Sequence, residues 1–308
     1  MELRQLEYLV AVAEEANFTR AAERVHISQS GVSAQIRQLE VDLGATLIDR
    51  SGRHATLTTA GSAALAHARA ALVSVDAMRQ AVDEVNGLIR GHLTVGMVTA
   101  CTVTPLFEIL AAFHNAHPGI EITLIEDNSD RLVERVRSGE VHLALIGAAG
   151  AAPPDFAALP LVSEHLVATV PFDHPLAKQR QISVAETSAY PIVSMPKGTG
   201  VRAVFDQACA RNGIHPNIAL QASAPGAVAD LAARGLGIAI LTESMAANHA
   251  DRLKALPLHD STTLAVLAFI WATTDTPALR ELLRHTRQVL GTAPPTPDTA
   301  RPTQRAPR

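Results

Sequence analysis

Apolar residues recur along this 308-residue chain with changing period, and the changes divide it. Leu3, Leu6, Leu9, Val10 and Ala13 form one helical stripe. Residues 18–47 then read as two short helices joined by a tight turn. In the first, Ala21, Ala22 and Val25 make a small apolar face that admits a second helix closely, and Thr19 is the expected N-cap. His26-Ile27-Ser28 forms the turn, with Ser28 capping the second helix. In that second helix Val32, Ile36, Leu39 and Leu43 fall at i, i+4, i+7 and i+11 on one face. Ser30, Ser33 and Arg37 fall on the other, and Gln29 stands at the N-terminus. Ser51-Gly52 is a turn signal between short β-prone runs, giving a small wing that carries Arg50 and Arg53.

A long helix is predicted from Thr58 or Thr59 to about Ile89. Leu65, Ala68, Leu72 and Val75 alternate by three and four; after a three-residue step, Met78, Val82, Val85 and Ile89 continue. This is a coiled-coil-like seam with a phase slip. Packing on its own domain is the alternative. A narrow stripe on a long helix between two domains favours a dimer seam.

From Gly91 the pattern changes again. Strands are predicted at 92–98, 120–126, 141–146, 159–162, 165–170, 192–194, 218–222, 237–241 and 264–271. Helices are predicted at 104–117, 130–138, 184–189, 201–212, 226–234 and 277–290. Alternating strands and helices argue a parallel sheet with crossover helices. Residues 291–308, rich in Pro, Thr and Ala, have little to bury and read as a disordered tail.

Composition changes this picture little. The net charge is −4, and the first sixty residues carry six arginines against eight acidic residues, so any nucleic-acid contacts must be local. Cys101 and Cys209 stand far apart and read as reduced thiols. No signal peptide opens the chain and no apolar run approaches a membrane span, which points to the cytoplasm. The thirteen histidines show no HExxH or other metal spacing, and no metal or cofactor is expected.

The polar face of the second short helix suits major-groove reading: Gln29, Ser30 and Ser33 can reach base edges. Arg37, one turn on, and Arg50 and Arg53 in the wing are placed for phosphates. An ordinary amphipathic helix with a solvated face has the same pattern; the adjacent wing favours recognition. Residues 3–61 resemble the DNA-binding domain of LysR-type transcriptional regulators. Leu6-Glu7-Tyr8-Leu9, Phe18-Thr19-Arg20-Ala21-Ala22, Ser28-Gln29-Ser30, Val32-Ser33, Ile36-Arg37-Gln38-Leu39-Glu40, Leu43-Gly44, Asp49-Arg50 and Leu57-Thr58-Thr59-Ala60-Gly61 carry the resemblance in order. Three positions depart from it. Gly31, inside the recognition helix, costs about 1 kcal/mol relative to alanine; Ala34 replaces a longer polar residue and Ile48 a common phenylalanine.

The remainder resembles that family's effector domain. Gly91-His92-Leu93-Thr94-Val95-Gly96, His117-Pro118-Gly119-Ile120, Leu143-Ala144-Leu145-Ile146, His174-Pro175-Leu176-Ala177 and Gly235-Leu236-Gly237-Ile238-Ala239 carry that match. The implied architecture is an α+β multidomain chain: a winged helix-turn-helix (1–58), a linker or dimerisation helix (59–90) and a two-lobe α/β effector domain like periplasmic binding proteins (91–290). Lobe I would take about 91–162 and 264–290, and lobe II about 163–263. The resemblance implies double-stranded DNA with an interrupted inverted-repeat operator, a small-molecule effector, self-association as dimer or tetramer, and RNA polymerase as partners.

An effector would lie between the lobes, past the strand ends and at helix entries. Thr99-Ala100-Cys101-Thr102 is one wall, whose N–H groups and hydroxyls suit an anion; simple helix capping reads equally well from these residues, and the resemblance favours ligand binding. Met195 to Arg202, with Gly198 and Gly200, forms a second wall. Ser223 and Ile146 contribute to two more. Arg202 as the cation and an apolar, ring-free lining predict a small acid. No GxSxG, phosphate loop or GxGxxG after a strand supports an enzyme, and a solute-binding module leaves the N-terminal segment unexplained.

Overall fold

A computed structural model describes residues 1–52, 54–85, 91–99, 104–273 and 276–291. The head comprises α1 (Leu3–Glu15), α2 (Phe18–Arg24), α3 (Gln29–Leu43), the strands β1 (Ile48–Asp49) and β2 (Thr56–Leu57), and the start of α4 (Thr59–Val85). β1 and β2 pair antiparallel as the wing. Leu6, Leu9, Val12, Ala21, Ala22, Val32, Ile36, Leu39, Leu47 and Ile48 make one core.

Three local expectations shift. The buried face of α1 runs through Gln5, Leu6, Tyr8, Leu9 and Val12, while Leu3 is 43% exposed. The N-cap of α2 is Asn17, not Thr19: its side chain accepts from the N–H groups of Thr19 and Arg20. Leu43 lies past the end of the packed face and is exposed.

The long helix divides functionally along its length. Ala68 is buried and Leu65 and Leu72 are half-buried in the head's own core, against α1. Met78 and Val82, one turn apart, are 63% and 58% exposed. The first half of the predicted seam therefore packs on its own domain, and the apolar face left unpartnered begins beyond it. Ile89 lies outside the described residues.

Beyond α4 the chain builds two five-stranded sheets. The first contains β3 (Gly91–Val98), β4 (Ile120–Asp127), β5 (Leu143–Ala149), β6 (Ala157–Glu164) and, after a long excursion, β12 (Ala265–Trp271), in the order β4-β3-β5-β12-β6. Its helices are α5 (Thr104–Ala116), α6 (Ser129–Arg137) and α11 (Pro277–Gly291). The second contains β7 (Leu166–Pro171), β8 (Ile192–Ser194), β9 (Ile218–Gln221), β10 (Ile238–Thr242) and β11 (Leu253–Pro257), ordered β11-β7-β10-β8-β9. A 3-10 turn (Pro175–Lys178) and α7 (Val184–Thr187), α8 (Gly200–Arg211), α9 (Pro225–Ala233) and α10 (Glu243–Ala247) belong to it.

The sheets are mixed rather than parallel. β3 runs parallel to β4 and β5, but β12 is antiparallel to β5 and β6, and β7 is antiparallel to β10 and β11. Antiparallel pairs arise where the chain passes between lobes and re-enters a sheet from the far side, instead of returning through a crossover helix on the same sheet. Hydrophobic period reports that a strand exists but not the direction in which it re-enters.

Candidate functional site

The recognition face is built by capping. The Ser28 hydroxyl accepts from Gly31 N–H at 3.1 Å, which starts α3 with Gln29 and Ser30 exposed at its tip. Gly31 has a local reason: a Cβ there would lie 3.1 Å from Ser28 Oγ and 3.3 Å from Ile27 Cδ1, crowding the cap and the turn. Ser33 is half-buried and Arg37 exposed on the same side of α3. Arg50 is committed elsewhere. Its guanidinium donates to Glu40 Oε2 at 2.9 Å and lies 5.3 Å from the Phe18 ring centroid. Glu40 Oε1 in turn accepts from Leu47 and Ile48 N–H, so Arg50 and Glu40 together fasten the wing to α3. Arg53 lies outside the described residues.

The two lobes meet at glycine. A Cβ on Gly200 would stand 2.5 Å from the carbonyl carbon of Gly147, so only the bare backbone of α8 can approach β5 there. Gly147 N–H donates to Ser129 Oγ at 3.0 Å, fixing the start of α6 beside this contact. Gly198 has φ +85°, and its carbonyl accepts from Asp130 N–H at 3.4 Å, joining the lobes a second time. Thr199 caps α8: its hydroxyl donates to the Pro196 carbonyl at 2.8 Å and accepts from Arg202 N–H at 3.4 Å.

A cleft of about 570 Å³ lies against this junction. Ile146, Gly147, Lys197, Gly198, Thr199 and Arg202 are among its walls. Of the residues expected at an effector site, Ile146 and Arg202 come together here. Met195, Ser223 and Thr99 are not in its lining: Met195 is buried, while Ser223 and Thr99 are exposed. Ala100, Cys101 and Thr102 lie outside the described residues.

Arg202 is not poised for a ligand. It is buried, its Nε donates to Asp206 at 2.7 Å, and its Nη1 reaches Gln221 Oε1 at 3.2 Å and the Met195 carbonyl at 3.4 Å. Asp206 already neutralises it. The exposed cation of the cleft is Lys197, in the Pro196-Lys197-Gly198 loop. Nothing in the sequence pattern separates the two, because the partner Asp206 is one helical turn from Arg202 and reads as an ordinary surface residue. Cys209, on the same helix, is buried, which pushes its thiol up to about 11 and leaves it protonated and unreactive.

Head and lobe I are also tied. Arg69 of α4 donates to Glu14 of α1 at 2.6 Å and stands 3.8 Å from Glu140, between α6 and β5. Beside it, His142 is held below the usual imidazole range by burial and, secondarily, by the charge of His92. Its Nδ1 accepts from Thr94 N–H at 3.0 Å.

Two family models match this chain: the bacterial regulatory helix-turn-helix protein of the lysR family over residues 3–62, and the LysR substrate binding domain over residues 86–291. The chain belongs to the LysR family of transcriptional regulators. This LysR-type regulator is 32% identical over 252 residues to the transcriptional dual regulator GltC of Bacillus subtilis (strain 168), spanning 82% of this chain and 84% of that one. It is also 32% identical over 286 residues to the Hca operon transcriptional activator HcaR of Escherichia coli (strain K12), spanning 92% and 96%. Among solved structures, a full-length OxyR variant from Pseudomonas aeruginosa shares the fold with TM-score 0.71 at 23% identity, covering 93% of this chain and 95% of that one. Full-length CbnR in complex with its target DNA matches with TM-score 0.59 at 25% identity, covering 94% and 100%.

The LysR-type regulator thus joins a DNA-binding helix-turn-helix head to a two-lobe effector-binding domain. Its family comprises transcriptional regulators rather than enzymes. Among the described residues, no helix is long and apolar enough to cross a membrane.

Proposed function

We propose that this regulator reads an interrupted inverted-repeat operator through paired heads, under the control of a small carboxylate held between its lobes. The observation that carries the first part is the exposed polar tip of α3, set by the Ser28 cap and braced by the Glu40–Arg50 pair. Gln29, Ser30 and Ser33 read base edges; Arg37 and Arg53 contact phosphates; Arg50 positions the wing. Ser33→Ala narrows the gap between specific and non-specific affinity. Arg37→Ala weakens all sequences alike and flattens the slope of log K against log salt by about one unit. Fluorescence anisotropy at several salt concentrations, on an operator selected from random-sequence DNA, checks both. Wild-type slopes and ratios for both variants would remove α3 from the interface.

For the effector, the cleft supplies Lys197 as countercharge, the N–H groups at the start of α8, and the apolar Ile146. In this reading Thr102 adds its hydroxyl to the site. Isothermal titration calorimetry with a panel of small carboxylates is expected to find a binder whose affinity falls about tenfold or more in Lys197→Met. Acid binding untouched by Lys197→Met and Thr102→Val together, or binding of uncharged compounds alone, would contradict the site. Arg202→Ala is the wrong test, since it strands Asp206 and Gln221.

The effector acts by preferring one arrangement of the assembly, since equal affinity for two arrangements shifts nothing. The Arg69 bridge between Glu14 and Glu140 gives the lobes a grip on the head. The working organisation is a head over 1–58, a dimerising helix over 59–90 and effector lobes over 91–290. It assembles as a tetramer in the cytoplasm and acts on RNA polymerase.

A further inference from the structure

We infer that lobe I carries a divalent-metal site built from His117, Glu281 and His285, with Zn²⁺ the best-suited ion. One donor atom from each of the three lies within 4.8 Å of the other two. Ligand atoms about 2.0–2.1 Å from a tetrahedral ion stand roughly 3.3–3.4 Å apart. His117 Nε2 and Glu281 Oε1 already stand 3.3 Å apart. His285 Nδ1 lies 3.7 Å from the same carboxylate oxygen. Two imidazoles and one carboxylate form the donor set of an open zinc site, leaving the fourth position to water.

The frame is prepared for this. Glu281 and His285 are four residues apart on α11 and share one face, while His117 follows the end of α5, which packs against α11. Both imidazoles rest on the buried Phe113 ring, with centroids 5.0 Å and 5.6 Å away, so their orientation is set by packing. His285 Nδ1 also lies 3.0 Å from the Glu281 carbonyl oxygen, a hydrogen bond that ligation through Nδ1 would replace. The three side chains are 15%, 22% and 12% exposed, sheltered yet open to an ion and a water. Arg284 now holds the Glu281 carboxylate and keeps it ionised. Arg284 is half-exposed and can swing into solvent as the ion takes the shared oxygen. A bound ion would staple the end of α5 to α11, and α11 also touches α4, the helix that leads to the head. No element of the effector cleft takes part.

The test uses untagged full-length protein stripped with EDTA, titrated with ZnCl₂ in the calorimeter and by competition with a chromophoric chelator. The expected result is one equivalent bound at low-micromolar Kd or tighter, a rise in Tm with Zn²⁺, and a strong visible absorption on Co²⁺ substitution. Affinity falls at least tenfold in His117→Ala, in His285→Ala and in the isosteric Glu281→Gln. It is unchanged in His114→Ala, an exposed histidine of α5. Absence of Zn²⁺ heat and Tm shift in wild type at 100 times that Kd range overturns the site. So does one-equivalent binding at wild-type affinity in Glu281→Gln, which preserves shape, or in the His117→Ala/His285→Ala pair.

Discussion

Gly61→Ala will unfold the DNA-binding head while the two effector lobes stay folded. A Cβ on Gly61 would sit 2.0 Å from the Leu47 carbonyl oxygen and 2.9 Å from its carbon, both backbone atoms that no rotamer change can clear. That carbonyl is already held on two sides: it accepts from Thr58 N–H at 2.9 Å and from the Thr58 hydroxyl at 3.3 Å. The same hydroxyl donates to the Thr46 carbonyl at 2.7 Å and accepts from Gly61 N–H at 3.0 Å. Moving the backbone therefore breaks the start of α4 and the anchor of the wing together. Overpacking of this kind costs about 1–3 kcal/mol when side chains can yield, and more when only backbone can. A head of this size has few kcal/mol to lose. Thermal melts followed by circular dichroism should show a new, lower transition ahead of an unchanged main one, and specific operator binding should be lost at 25 °C. A single wild-type melt with wild-type operator affinity would refute the close approach.

Met78→Glu combined with Val82→Glu will dissociate the dimer. Both side chains are exposed, adjacent on one face of α4, and beyond the stretch that the head's own core covers. Burying a side chain of this size stabilises by about 1.5–3 kcal/mol, so across two copies the loss is roughly 6 kcal/mol or more. That corresponds to about four decades in the dimer dissociation constant. Sedimentation equilibrium would then report a lighter species at micromolar concentration, with operator affinity reduced to that of a single head. Leu72→Asp, higher up the same stripe, tests something else: Leu72 is half-buried against the head, so a charge there destabilises the head before it reaches any partner. Unchanged mass and unchanged operator affinity for the double variant would take α4 out of the seam.

These two cases mark the reach of periodicity. The three- and four-residue spacing of Leu65, Ala68, Leu72, Val75, Met78 and Val82 is correct as a statement that one face of α4 is apolar. It cannot say what covers each part, because own-domain packing and partner packing use the same chemistry. Arg202 shows the same limit for charge. Its position beside the cleft was legible in the Gly198-Thr199-Gly200 entry to a helix, but its partner Asp206 decides that it is a structural cation, and Lys197 is left as the exposed one.

Short-range physics was settled by the sequence itself. The order of nearly every helix and strand, the Ser28 cap, the turn at His26 and the division into head, long helix and alternating lobes come from propensities and periods that act within a few residues. The tertiary structure decided what depends on residues far apart. It set the antiparallel re-entry of β12 and β7, the glycine contact between Gly147 and Gly200, and the grip of Glu40 on the wing. It also brought His117 within reach of Glu281 and His285 across 164 positions of chain. No local pattern encodes such a meeting, because a side chain's chemical role is fixed by its neighbours in space, and those are known only once the chain has closed on itself.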